Sequence, residues 1–320
     1  LNTVVPMNCT KCPTSMRAVI SLPRHNAAFC KGCFTTFVHE QVARAIKSFK
    51  MFTPEDRILV AVSGGKDSLA LWHILLTLGY RADALYVNLG IGGYSEESNR
   101  KVRHYADTVA AAHGAKLIVH VVEQEAGAGI RELATILHRP TCSTCGTIKR
   151  YQFNRAAVEQ DYDVMATGHN LDDEAARLLG NVLHWQDEYL DKQSPTLPAS
   201  VEGFAKKVKP LCRLSEREIA AYAVVNRIDY IVEECPMAKG SKMILYKEVL
   251  NRLETESPGT KQRFYWGFLE KQTKPEPATE SMAEKDQRTL HPCQSCGQPT
   301  TADTCSYCKM MAKAKTATPR

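Results

Sequence analysis

The stretch Ile58–Trp72, ILVAVSGGKDSLALW, constrains the fold more than any other part of the chain. The preceding run RILVAV, apolar after its arginine, has the pattern of a strand buried on both faces of a parallel sheet. It breaks at Ser63-Gly64-Gly65-Lys66-Asp67-Ser68 and resumes as SLALWHILLTLG, where Leu69, Leu71, Ile74, Leu75 and Leu78 fall on helical spacing and Gly79 supplies the C-cap. Two glycines let backbone N–H groups approach a ligand, and the following helix aims its positive end at the same point. Lys66 adds a point charge, and Ser63 and Ser68 add hydroxyl donors. Such a loop is built for an anionic phosphate, without the G-x4-G-K-[ST] spacing of a Walker loop.

From there the pattern alternates. ADALYVNL reads as a second strand, followed by the loop GIGGYS; residues 96–114 read as a helix, KLIVHVV and YDVMATG as further strands, and 172–184 as another helix. Upstream, residues 35–50 have apolar positions at helical spacing and a basic opposite face. Downstream, 191–209 reads as a loop that leads to Ser215 and Glu218, a capping box. The expected fold class is α/β, a doubly wound parallel sheet.

Twelve cysteines are many for a chain with no apolar run long enough to span a membrane and no secretory leader. Five pairs share one spacing: Cys9-x2-Cys12, Cys30-x2-Cys33, Cys142-x2-Cys145, Cys293-x2-Cys296 and Cys305-x2-Cys308, with Cys212 and Cys235 alone. These are the spacings of thiolate metal ligands rather than of a secreted disulfide framework, and they imply a cytoplasmic protein. Cys9, Cys12, Cys30 and Cys33 form one zinc set, with seventeen residues (13–29) between the pairs. Cys293, Cys296, Cys305 and Cys308 form a second. Cys142, Cys145 and the distant Cys235 make three ligands. The residues alone leave them open between an iron–sulfur cluster with one iron free of protein, a zinc site with a fourth ligand, and a redox pair that passes sulfur as a persulfide.

In its strand–loop–helix setting, SGGKDS resembles the PP-loop of the ATP pyrophosphatase superfamily. With LGIGGYS, CSTCGTIKRY, ATGHNLDDEA, VKPLCRLSERE and EECPMAKGSK following in order, and cysteine units at both ends, nearly the whole chain resembles the TtuA type of tRNA 2-thiouridine synthetase, in the TtcA/TtuA family. The resemblance implies a Rossmann-like PP-loop fold flanked by small zinc-binding units. It implies ATP bound by Ser63, Gly64, Gly65, Lys66, Asp67, Ser68, Val87, Gly168 and Asp173, with Mg2+ on the phosphates. It also implies a [4Fe-4S] cluster on Cys142, Cys145 and Cys235, and catalytic roles for Asp67 and Lys149.

The implied reaction is ATP-dependent 2-thiolation of a tRNA uridine at position 54. A uridine-34 thiolase or another PP-loop enzyme that adenylates tRNA is the alternative, and a non-catalytic zinc RNA-binding module is the rival from outside the enzymes. The implied partners are tRNA, a ubiquitin-like thiocarboxylated sulfur carrier and a second copy of the chain, with no membrane. The net charge of +6 suits a polyanionic partner; basic residues recur at Arg44, Lys47 and Lys50, at Lys206, Lys207 and Lys209, and in the C-terminal tail. The expected organisation is a zinc finger at 7–35, a catalytic domain at 36–272, a linker at 273–290, a second finger at 291–312 and a basic tail at 313–320. Residues 1–6 are expected to carry no fold, and Cys212 reads as a buried thiol.

Overall fold

The computed structural model describes residues 7–13, 16–200, 202–237, 242–273 and 290–317. At its centre is a six-stranded sheet. The strands in chain order are β1 (Arg57–Val62), β2 (Arg81–Asn88), β3 (Leu117–Val121), β4 (Val164–Thr167), β5 (Thr196–Leu197) and β6 (Lys206–Val208). Their spatial order is β3-β2-β1-β4-β6-β5, all parallel except β5 on the edge. The order reverses between β1 and β4, and in sheets of this kind a ligand crevice opens at that reversal, beyond the carboxyl ends of the strands. β5 and β6 lie within the span expected to be loop. With two and three residues, they carry too little alternation to register as strands.

Helices cover both faces. α1 (Lys31–Ser48) buries Phe34, Val38, Val42 and Ile46 on one stripe. α2 (Lys66–Thr77) follows the phosphate loop and is buried along nearly its whole length, with Trp72 donating from Nε1 to Ala82 O at 2.8 Å. α3 (Gly92–Thr108) begins inside the segment expected as a loop, so Gly92, Gly93, Tyr94 and Ser95 form its first turn. α4 (Thr141–Glu159) likewise starts before Cys142; that cysteine and Cys145 lie within its opening turns rather than ahead of it.

α5 (Leu171–Leu183) and α6 (Glu216–Val225) both open with complete capping boxes, Asn170/Asp173 and Ser215/Glu218. α7 (Lys242–Glu256) and α8 (Thr260–Thr273) pack against α5. α9 (Ser306–Ala317) carries the C-terminal unit's last cysteine and continues helically through most of the expected tail. The linker expected at 273–290 lies, but for its ends, outside the described residues, as do residues 1–6. No helix among the described residues is long and apolar enough to cross a membrane.

The N-terminal unit is a two-stranded ribbon, Ile20–Leu22 against Ala27–Phe29, ahead of α1. An ion pair between Arg24 and the buried Glu218 ties it to the core. The C-terminal unit docks on α4, where Tyr307 stacks on Tyr151 with ring centroids 3.7 Å apart and an interplanar angle of 6°. Tyr307 Oη also donates to Glu125.

Candidate active site and metal centres

At the reversal point lies a cleft of about 410 Å³. Ser63 and Gly65 line it from the β1–α2 loop, Asp67 and Ser68 from the first turn of α2, Val87 from the end of β2, Gly168 and His169 from the β4–α5 connection, Asp173 from the first turn of α5, and Lys149 and Phe153 from α4. With Tyr94, Ser95 and Ser98 from α3, residues from five separate segments share one cavity.

The loop geometry follows from its residues. Gly64 adopts φ +79°, and a Cβ there would stand 2.9 Å from Ser98 O and Oγ; no larger residue fits. Ser98 Oγ donates to Ser63 O at 2.6 Å, which pins the turn to α3. Ser68 Oγ accepts from Ser63 N and donates to Gly65 O, bracing the turn from within. The α2 N-cap, Gly65, offers no side-chain cap, so first-turn N–H groups are left for an anion. A Cβ on Gly168 would stand 3.0 Å from Asp67 C and Ser68 N. Gly168 therefore lets β4 approach the phosphate loop itself, a packing requirement distinct from the nucleotide contact expected of it.

Lys66 and Gly64 are absent from the cavity wall. Lys66 Nζ instead donates to Asp67 Oδ2 at 3.1 Å and to Glu216 Oε1 at 2.7 Å. Lys247 completes the chain of charges, bridging Asp173 Oδ1 at 2.6 Å and Glu216 Oε2 at 3.1 Å. Burial works against the Lys66 charge, but the Asp67 and Glu216 carboxylates outweigh it and raise its pKa. Burial raises the pKa of Asp67, with Lys66 opposing. Asp67 Oδ1 also accepts from Asn170 Nδ2 at 3.1 Å. Asp173 both caps α5 and faces the cleft. His169 is kept neutral by burial, which lowers its pKa to about 3.

Sequence reasoning missed Glu216 and Lys247. Glu216 is hidden in a capping sequence that explains itself, and Lys247 has no local signal at all. Tyr94 and Ser98 were passed over because their segment read as a loop and an unremarkable helix.

The two terminal cysteine sets are compact. Four sulfurs about 2.3 Å from one tetrahedral ion lie about 3.8 Å apart. Cys293, Cys296, Cys305 and Cys308 all fall within 4.8 Å of one another, and the Cys296–Cys305 sulfurs are 3.8 Å apart. Burial disfavours the Cys293 thiolate, but N–H groups of Cys305, Ser295 and Cys296 outweigh it and bring the pKa to about 6. Cys9, Cys30 and Cys33 form an equally tight group; Cys12, expected with them, is outside it, although its N–H supports the Cys9 thiolate. The C-terminal set offers a single tetrahedral ion four ligands, and the N-terminal group offers it three.

The middle trio is arranged differently. Cys142 Sγ donates to Met237 O at 3.2 Å, which ties the start of α4 to the segment that carries Cys235. Cys145 has its pKa raised by burial, while Lys149 pulls it down and Cys235 and Cys142 push it up. Tyr94, on the cleft wall, has its pKa raised by burial and then by Cys235, Tyr86 and Cys145. The three cysteines thus converge beside the cleft. Among the described residues, only the terminal sets meet the single-ion spacing, and this trio does not. The wider spread and the exposed Cys142 suit a multi-iron cluster better than one zinc ion. Cys212 is wholly buried, and burial raises its pKa to about 12; it lies apart from all three sets.

Of the expected basic patch, Lys209 is buried in an ion pair with Glu174 at 2.6 Å and offers no surface charge.

Comparison with known proteins agrees with this layout. The PP-loop domain family matches residues 37–239, and the N-terminal LIM domain of the 2-thiouridine synthetase TtuA matches 8–35. A tRNA-5-methyluridine(54) 2-sulfurtransferase of Thermotoga maritima is 42% identical over 98% of this chain and 100% of its own length. One of Thermus thermophilus is 44% identical over 95% of this chain and 91% of its own. The solved U34-tRNA thiolase NcsA from Methanococcus maripaludis, with its [4Fe-4S] cluster, shares the fold at a TM-score of 0.77 and 23% identity, covering 96% of each chain. The chain belongs to the TtuA-type 2-thiouridine synthetase family of PP-loop proteins.

Proposed function

We propose that the protein is a tRNA 2-sulfurtransferase that replaces the C2 oxygen of uridine 54 by sulfur at the expense of ATP. The observation that carries this reading is that Lys149 and Tyr94 line the phosphate-loop cleft beside the cysteines, where Lys149 acts electrostatically on Cys145, and Cys235 and Cys145 act on Tyr94. A purely structural cysteine site would have no reason to share a wall with a nucleotide cleft.

ATP phosphates rest on the N–H groups of the loop and of the first turn of α2. Asp67 and Asp173 would hold the Mg2+ that offsets the phosphates' charge. Uracil O2 attacks the α-phosphorus, the bond to the β-phosphate oxygen breaks, and pyrophosphate leaves. Lys66, released from Glu216, stabilises the charge that develops on the phosphates. Sulfide then attacks C2, the bond between C2 and the AMP oxygen breaks, and AMP departs with that oxygen. Both steps are redox-neutral. Lys149 stabilises the negative charge that builds on the ring. A [4Fe-4S] cluster on Cys142, Cys145 and Cys235, with one iron free of protein, would supply the binding place for sulfide when loaded. The terminal sets would each hold Zn2+ as structural fingers.

The family resemblance alone supports two further readings. Sulfide derives from the thiocarboxylated C-terminus of a ubiquitin-like carrier, and the active assembly is a homodimer, which light scattering checks. The central test incubates anaerobically reconstituted protein with ATP, sulfide and tRNA and maps 2-thiouridine by mass spectrometry. Thiolation at position 54 is expected. Thiolation at position 34 would favour the alternative assignment, and none at all would reject both.

A further inference from the structure

Outside the cleft, a cavity of about 600 Å³ opens where the N-terminal unit meets the core. Its walls carry three guanidinium groups, Arg24, Arg213 and Arg263, with Gln262 and Trp266 between them and Glu270 as its acid. Arg24 is 7% exposed at its side chain and is held by Glu218 and by Arg213 O, yet its Nη1 is buried without a hydrogen-bond acceptor. Arg213 lies 4.6 Å over the Trp266 ring and donates to Gln41 Oε1 at 3.4 Å. Its neighbours include two more cations, Arg44 and Arg24, which with burial lower its pKa. Arg263 is exposed, and among the described residues its hydrogen bonds go to neutral oxygens: Pro258 O, Ser257 Oγ and Thr260 Oγ1. Two guanidinium groups hydrogen-bonded to neutral partners, Arg213 and Arg263, beside a third that pairs with Glu218 but keeps Nη1 without an acceptor, form a recognition surface for a fork-shaped anion.

The hollow also has a place relative to the cleft. Arg24 and Pro258 line both it and an adjoining cavity of about 540 Å³, and Glu216 on that second wall is the partner of Lys66. The two cavities thus adjoin, and the Lys66–Glu216 ion pair links the second of them to the phosphate loop. On the other side, Arg213 reaches Gln41, which lines the cavity of the N-terminal unit with Lys11 and Arg44.

We propose that this arginine hollow binds a backbone phosphate of the RNA substrate, positioning the tRNA at a distance from the reacting uridine; this rests on the reading that tRNA is the substrate. A free nucleotide is the poorer fit. The aromatic ring in the wall already has Arg213 4.6 Å over it and Phe49 stacked 5.5 Å away, and these contacts compete with a base for it.

The test is tRNA affinity as a function of KCl concentration, by filter binding, for the intact protein and two variants. Arg263→Glu reverses a charge at the rim. Gln262→Glu adds an acid to the wall without removing any arginine contact, so it answers the question even if the first variant folds poorly. Each is expected to weaken tRNA binding about tenfold and to reduce the slope of log K against log salt by about one, with Arg263→Lys retaining most of the affinity. Unchanged affinity and slope in both acidic variants would overturn the proposal. So would loss of inorganic phosphate binding, by calorimetry, with tRNA binding intact, because the hollow would then serve a free anion. Wild-type protein that binds tRNA in this salt-dependent, variant-sensitive way but forms no 2-thiouridine would reject the function and leave the site standing. Active thiolation with variants that bind tRNA normally would do the reverse.

Discussion

The terminal cysteine sets and the middle trio use the same Cys-x2-Cys spacing for opposite ends. In the C-terminal set four sulfurs crowd within 4.8 Å, and local N–H groups favour the Cys293 thiolate. Everything needed is supplied within sixteen residues, and the product is a closed knot that Tyr151 and Tyr307 pin to α4. The trio draws on two distant segments and leaves Cys142 exposed. It shares Lys149 and Tyr94 with the nucleotide cleft. A closed site stabilises a fold, and an open one leaves a coordination position for chemistry. Identical motifs diverge because of what surrounds them.

The largest expected effect separates the two regions outright. Cys235→Ala should abolish thiolation, by at least a hundredfold, while zinc content by elemental analysis stays at the wild-type value; retained activity would break the comparison. Lys149→Ala should lower kcat on the order of a hundredfold if it stabilises the reacting ring, with ATP affinity retained. Cys293→Ser should do the converse of Cys235→Ala, reducing zinc content and melting temperature while iron content stays unchanged.

Gly168→Ala sharpens the account of the cleft. A Cβ 3.0 Å from the loop backbone should cost about 1–3 kcal/mol in denaturant unfolding and weaken ATP binding. The smallest effect concerns stability away from either region. His73, beside Tyr222, has its pKa lowered to about 4 by burial, then by His39 and His113. Below the ordinary value of 6.5 the unfolded chain takes up the proton that the folded one refuses, so His73 makes stability fall as pH drops from about 6.5 to about 4. His73→Gln should flatten that part of the stability profile.

The β1–loop–α2 unit was legible because three local signals coincide there: a buried run, paired glycines and a helical stripe. The spacing of the terminal sets was legible because their ligands are neighbours in sequence. Other features depended on tertiary partners. α3 begins at Gly92 because Ser95 Oγ accepts from Ile91 N and Tyr86 Oη donates to Ser95 O, contacts that override glycine's preference for a loop. β6 exists by pairing with β4, and β5 by pairing with β6, rather than by pattern. Lys247 joins Asp173 and Glu216 across 74 and 31 residues of chain, and nothing near it in sequence announces that role. Lys209 reads as surface charge until its buried partner Glu174 is seen.

The measurement that bears most directly on the whole is a titration of activity against iron. Anaerobic protein is reconstituted with graded iron and sulfide at constant zinc, and 2-thiouridine formed per chain is plotted against iron bound. Thiolation should rise in proportion to iron, and the Cys142/Cys145/Cys235 triple alanine variant should stay at zero throughout. Full activity in iron-free protein, or in that variant, would contradict the account.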